Sequence, residues 1–316
     1  MDGDKALVED NQPEWTKEYN PYTLQAAAVE EKTVPAIKEF METVLARCEG
    51  PDYRELRNMV FQELVQSEQM PLIAYMLDHD DTLASSIQPI AILEHASKPL
   101  IDALVAHGWD INTQNHSAMA GPTTGRKRLL DYLVTEGEGK ESLARWLVEE
   151  KGAKLDGYTD GHGEPPPPLL ETCAARGTVA MYRFLEEHGA RPCPRALHLA
   201  AVTAASRRTD PAHDESTSAE MLRFLVEERG ADVNGIDSDV SHQPMNTHFG
   251  TPIAYAARCP SGTAVVKWLL EKGADPSIKN PFYPPFDAFE CAREKHSDEI
   301  LSILQAWKER NTIIPQ

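Results

Sequence analysis

Two polar stretches place histidine beside acids or amides: Asp160–Glu164, which reads DGHGE, and His242–His248, which reads HQPMNTH. Imidazole and carboxylate groups together can ligate zinc or another divalent ion. Their spacing here matches no established zinc pattern, so no metal site is expected. The same groups could serve as acid and base if loops closed over a substrate. That leaves open an alternative reading, an enzyme whose active site lies between long loops and the body of the fold. Gly121–Lys127, GPTTGRK, lacks the GxxxxGK[ST] of a phosphate loop and follows no strand. GxSxG, HExxH and a dinucleotide fingerprint are all absent. We therefore expect no catalytic residue and no cofactor.

The five cysteines, Cys48, Cys173, Cys193, Cys259 and Cys291, are scattered and form no CxxC pair. An odd, dispersed set suits reduced thiols in a cytosolic or nuclear setting better than a disulfide framework. Trp109 stands just after a glycine, in GWDIN, with Asp110 beside it. A large aromatic at such an edge can anchor a partner. The competing expectation is that it packs against its neighbours.

The elements that must position these groups are recurrent helices. LIDALVAHGWDIN (100–112), LARWLVEEKGAKLD (143–156), MYRFLEEHGAR (181–191), MLRFLVEERGADVN (221–234) and VVKWLLEKGADP (265–276) share one pattern. Apolar residues fall at i, i+3, i+4 spacing and make one buried stripe. Gly108, Gly152, Gly189, Gly230 and Gly273 end the helices, at a position where a left-handed backbone favours glycine. Each helix follows a second phrase: QPIAIL (88–93), RLLDYLV (128–134), PLLETCAARG (168–177), RALHLAA (195–201) or TPIAYAAR (251–258). In the last, Thr251 suits an N-cap and Pro252 the first helical position.

TPIAYAA followed by LLEKGADP, and RALHLAA followed by MLRFLVEERGADVN, resemble the ankyrin-repeat family. The resemblance spans most of residues 85–310 and implies an all-α, ankyrin-repeat solenoid. It would have about six to seven helix pairs, long inter-repeat loops and a helical N-terminal cap. On that reading residues 1–14 are a disordered acidic N-terminus, 15–84 the cap with a degenerate repeat, 85–310 the array and 311–316 a tail. Arg54–Gln66 and Leu72–Asp78 would pair within the cap. The resemblance implies that His198 is structural, bonding neighbouring backbone, and that Asp131 and Glu290 share its slot. It also implies a scaffold or adaptor that binds a protein through a concave face and hairpin loops.

The glycines are 44, 37, 41 and 43 residues apart, whereas a standard ankyrin repeat is about 33 residues. The surplus lies in Thr113–Lys127, Gly157–Pro167, Ser206–Ser218 and Gly235–Phe249, all rich in turn-forming residues. Long loops on a rigid frame commonly carry binding. The candidate partner-binding residues are therefore Trp109, Asp110, Tyr158, His162, His242, Asn246 and His248. Fifty acidic residues against 31 basic give a net charge of −19. Such a surface repels nucleic acid and anionic lipid and favours a basic protein partner. No apolar run reaches membrane-spanning length and Met1–Asn20 is polar, so a monomeric cytoplasmic or nuclear protein is expected.

Overall fold

The computed structural model describes residues 28–47, 51–115, 127–155, 168–237, 250–280 and 286–312. Among these residues every regular element is a helix, and β structure is confined to an isolated bridge between Gln114 and Arg128. The chain divides into two compact units, Met1–Leu129 and Leu130–Gln316.

The first unit contains α1 (Val34–Arg47), α2 (Pro51–Gln66), α3 (Met70–His79), α4 (Thr82–Ser86), α5 (Pro89–Ile92) and α6 (Lys98–Ala106). Helix α3 packs against α1, α2 and α6, so the expected pairing of Arg54–Gln66 with Leu72–Asp78 is present. Phe40, Phe61, Leu64, Ile73 and Met76 fill the space between them and are fully buried. Arg57 reaches the buried Asp80 at 2.6 Å, and Asp80 Oδ1 accepts from the Thr82 backbone N–H at 3.0 Å. One carboxylate thus neutralises a cation and also receives an otherwise orphan donor at the start of α4.

Helix α7 (Leu129–Leu133) lies at the boundary between units. The second unit continues with α8 (Glu138–Lys151), α9 (Leu169–Arg176), α10 (Val179–Glu187), α11 (Ala196–Ser206) and α12 (Thr217–Arg223). A π-helical turn at Phe224–Glu228 extends α12, and α13 (Pro252–Ala257), α14 (Thr263–Glu271), α15 (Ala288–Glu294) and α16 (Asp298–Thr312) follow. Each short first helix packs on its own second helix: α9 on α10, α11 on α12, α13 on α14 and α15 on α16. The first helices also pack in series, α9 to α11 to α13 to α15. Ala200, Ala201, Ala256, Ala257 and Ala292 are buried at these contacts, where small side chains let backbones come close.

All five helix-ending glycines adopt positive φ, between 62° and 92°. After Gly189 and Gly273 the next N–H reaches back five residues, Ala190 to Leu185 O and Ala274 to Leu269 O, both at 2.9 Å. Two repeats hold one more residue between the core aromatic and the glycine: six from Trp146 to Gly152 and from Phe224 to Gly230, against five from Trp268 to Gly273. The surplus residue is absorbed by widening the final turn. Arg229 N–H bonds Phe224 O at 3.0 Å across the π turn, and Gly152 N–H likewise bonds Leu147 O. The core aromatic therefore keeps its inward direction despite the insertion.

Two local expectations are corrected. Thr251 sits at the N-cap of α13, but its side chain makes no capping bond; its hydroxyl is buried without a hydrogen-bond partner among the described residues. Side-chain N-cap bonds are instead found at Thr178, Ser216 and Asp287, the last forming a reciprocal capping box with Glu290. The insertion expected at Ser206–Ser218 is shorter, because α11 runs through Ser206 and α12 begins at Thr217.

Candidate functional site

The expected binding residues meet different fates. Trp109 does not stand out as an anchor. It is 2% exposed, and its indole N–H donates to Ile87 O at 3.1 Å. The ring is buried and its N–H is spent on the segment between α4 and α5. Asp110 is exposed, and its carboxylate accepts from Asn112 N–H at 2.9 Å, closing the turn. Tyr158 and His162, and His242, Asn246 and His248, lie outside the described residues.

The frame that carries the insertions is well defined. Asn115, Asp237 and Asn280 are each buried, at 5%, 0% and 4% exposure. Each stands where a segment leaves the body, and each ties that exit to the point of return. Asn115 N–H bonds Lys127 O at 3.1 Å, while its side-chain oxygen accepts from Ile90 N–H at 3.1 Å. Asp237 N–H bonds Gly250 O at 3.4 Å and its Oδ1 accepts from Gly250 N–H at 2.8 Å. Asn280 N–H bonds Phe286 O at 3.1 Å and its Oδ1 accepts from Phe286 N–H at 3.0 Å. Residues 116–126, 238–249 and 281–285 are thus each mounted on a closed base. Sequence reasoning missed all three residues, yet a signal exists. Each is the seventh residue after a helix-ending glycine, Gly108, Gly230 or Gly273.

Asp237 is also the hub of a polar cluster beneath this edge. Its Oδ2 accepts from the Tyr255 hydroxyl and lies 3.6 Å from Arg195 Nε. Arg195 Nη1 lies 3.3 Å from Glu171 Oε1, and the Cys193 thiol lies 3.9 Å from Glu171 Oε2. One guanidinium thus faces two carboxylates in a partly dry environment. Burial raises the Glu171 carboxyl above its ordinary range, opposed by the Arg195 charge. Burial also pushes the Cys193 thiol up to about 12, with Glu171 adding to the effect. A thiol held so far from ionisation is a poor nucleophile.

His198 behaves as its slot implies. Its Nε2 donates to Gly235 O at 2.9 Å, so the neutral ring carries its proton there. Burial depresses its affinity for a second proton, against the opposing pull of Asp237. The ring meets Tyr255 edge to face at 5.3 Å between centroids. Asn234 joins neighbouring hairpins: its amide donates to Gly273 O at 3.1 Å and its carbonyl accepts from Asp275 N–H at 2.7 Å. The chemistry of the cluster is therefore cross-linking, pair to pair.

The second helices are stitched as well. Arg183 pairs with Glu228, Arg229 with Glu186 at 2.6 Å, and Lys272 with Glu227 at 2.7 Å. Arg183 and Arg229 also cover the Phe224 ring, at 4.8 and 5.0 Å from its centroid. Each half-exposed pair contributes only about 0.2–1 kcal/mol.

Residues 250–281 match the ankyrin repeat family. This chain carries an ankyrin repeat. The matched segment takes in α13, α14 and the turn that ends on the buried Asn280. Ankyrin repeats are in general protein–protein interaction modules. The chain matches no curated protein with significance. Among the described residues no helix is long and apolar enough to cross a membrane.

Proposed function

We propose that the protein is an interaction scaffold or adaptor, and that the helix pairs outside residues 250–281 are ankyrin-type repeats forming a solenoid of about six to seven pairs. The reading of residues 15–84 as a cap to an array over 85–310 belongs to the same proposal. The observation that carries it is the set of closed bases at Asn115, Asp237 and Asn280. They tie the exits of residues 116–126 and 238–249, which belong to two of the insertions, and of residues 281–285 to helices, which is how a scaffold presents loops to a partner. Contacts are assigned to Asp110 and, on the insertions, to Tyr158, His162, His242, Asn246 and His248. The excess of acidic groups, 50 against 31, supports a basic partner surface.

The test replaces Ser238–Phe249 with a short turn that keeps Asp237 and Gly250. Cross-linking mass spectrometry then compares partners of the intact and shortened chains. A protein cross-linked to the intact chain and lost with the loop supports the proposal. Partners captured equally by both chains remove this edge from the interface. A small molecule that copurifies and is turned over, with no protein partner, favours the enzyme alternative.

A further inference from the structure

A recess of about 710 Å³ opens in the second unit on the loops that join the two helices of a pair, not on the hairpins that join successive pairs. Pro260, Ser261, Thr263 and Ala264 line it beside the buried Trp268. It exists because the α11–α12 connection is long while the α13–α14 connection is short, so residues 208–213 overhang the start of α14. The overhang is held in shape. Arg223 donates to Pro211 O at 2.7 Å and Asp214 O at 2.8 Å, and Asp210 accepts from Ala212 N–H at 2.9 Å. Thr209 is buried beneath it and bonds Ala204 O at 3.0 Å. Its volume falls in the ligand-sized range of roughly 300–1,000 Å³.

Charged side chains of both signs border the recess, among them Asp210 and His213, which pair with each other at 2.9 Å. Arg145, Arg183, Arg195, Arg229, Arg258 and Lys272 all have a carboxylate within ion-pair reach. The side chains of Arg208 and Lys267, which line the recess, have no hydrogen-bond or ion-pair partner among the described residues. Glu271 and Glu299 line it too and are equally without an ion pair. A recess with two cations and two carboxylates outside any ion pair, beside the paired Asp210 and His213, is complementary to a ligand that brings both signs. A polyanion such as nucleic acid would meet the two glutamates and be repelled.

We infer that this recess docks a short extended segment of a partner protein carrying an acidic and a basic side chain close together. The acid meets Arg208 and Lys267, and the base meets Glu271 and Glu299. This rests on the scaffold reading but uses a second surface, built on the loops within helix pairs and not on the 238–249 insertion.

Arg208 supplies a clean test. It is the second residue past α11, with φ of +59°, a backbone conformation that favours glycine. Arg208→Gly therefore removes the cation while relieving the backbone, so lost binding cannot be blamed on unfolding. A random peptide library displayed on phage is selected on the intact chain and counter-selected on the Arg208→Gly, Lys267→Ala double variant. Enriched peptides are synthesised with a fluorescent label and measured by anisotropy. The expected peptides carry an acid and a base within a few residues. Each of Arg208→Gly, Lys267→Ala and Glu299→Gln should weaken them about tenfold, as loss of one charge-assisted bond does. Shortening the 238–249 insertion should leave their affinity unchanged. The inference is overturned if no peptide enriches over the counter-selection, or if enriched peptides bind Arg208→Gly as tightly as the intact chain. Peptides lost only with the 238–249 insertion would also overturn it, while leaving the scaffold reading intact.

Discussion

Asp237→Ala should be among the most damaging single changes in the second unit. The carboxylate is fully buried and serves three donors: Gly250 N–H at 2.8 Å, the Tyr255 hydroxyl and, ionically, Arg195 Nε at 3.6 Å. Removing it leaves a hydroxyl and a backbone N–H without their acceptor, each at roughly 1–3 kcal/mol. Arg195 keeps Glu171 at 3.3 Å, so its charge is not stranded. The two stranded donors together should cost about 2–6 kcal/mol. Asp237→Asn keeps an acceptor for Gly250 but puts an amide NH2 where Oδ2 accepted from Tyr255 and faced Arg195, so about 1–3 kcal/mol is expected. Urea unfolding followed by circular dichroism gives both values. A double-mutant cycle with Tyr255→Phe should be strongly non-additive, because both changes break the same bond. A loss below about 1 kcal/mol for Asp237→Ala would refute the claim that this carboxylate holds the base of the insertion.

Other expectations follow from the same physics. Trp109→Phe should cost about 1–2 kcal/mol, since it strands the buried Ile87 carbonyl, and should leave partner binding unchanged in a pull-down. Gly273→Ala meets open space and pays only for its φ of +92°, roughly 1 kcal/mol. Gly262→Ala would place a methyl 2.5 Å from Ala256 O and 2.9 Å from the Ala205 side chain, so its melting temperature should fall much further. His198 is held neutral by burial, with its folded affinity for a proton below the unfolded value of 6.5. Its contribution is therefore complete above 6.5 and lost as pH falls toward the depressed folded value. Urea midpoints measured on either side of 6.5 should converge in His198→Gln. Glu171 has the opposite sign: its folded affinity is raised above 4.5, so stability from it declines as pH rises through 4.5 to the folded value. Glu171→Gln should flatten that decline.

Much of the helical organisation was legible because two periodic signals coincide. Apolar stripes give helices, and the glycines at 108, 152, 189, 230 and 273 end them with the positive φ that position requires. The π turn at Phe224–Glu228 was also written in the chain, as one extra residue before Gly230. Trp109 was misread as an anchor because a helix-ending glycine marks a surface turn, and a type-based argument cannot tell which side of the turn a ring will face. The Asn115, Asp237 and Asn280 bases were overlooked because short polar residues in loops look like generic turn formers. Only their fixed distance from the glycine distinguishes them. The recess was beyond sequence reading altogether, since it arises from two connections of unequal length lying side by side.

The most direct test of the scaffold reading is native mass spectrometry of the tagged chain purified from its own cells under mild conditions. The account expects a complex heavier than the 35.1 kDa chain, containing a second protein in fixed stoichiometry. A chain recovered alone, carrying a small molecule that it converts to product, would contradict it.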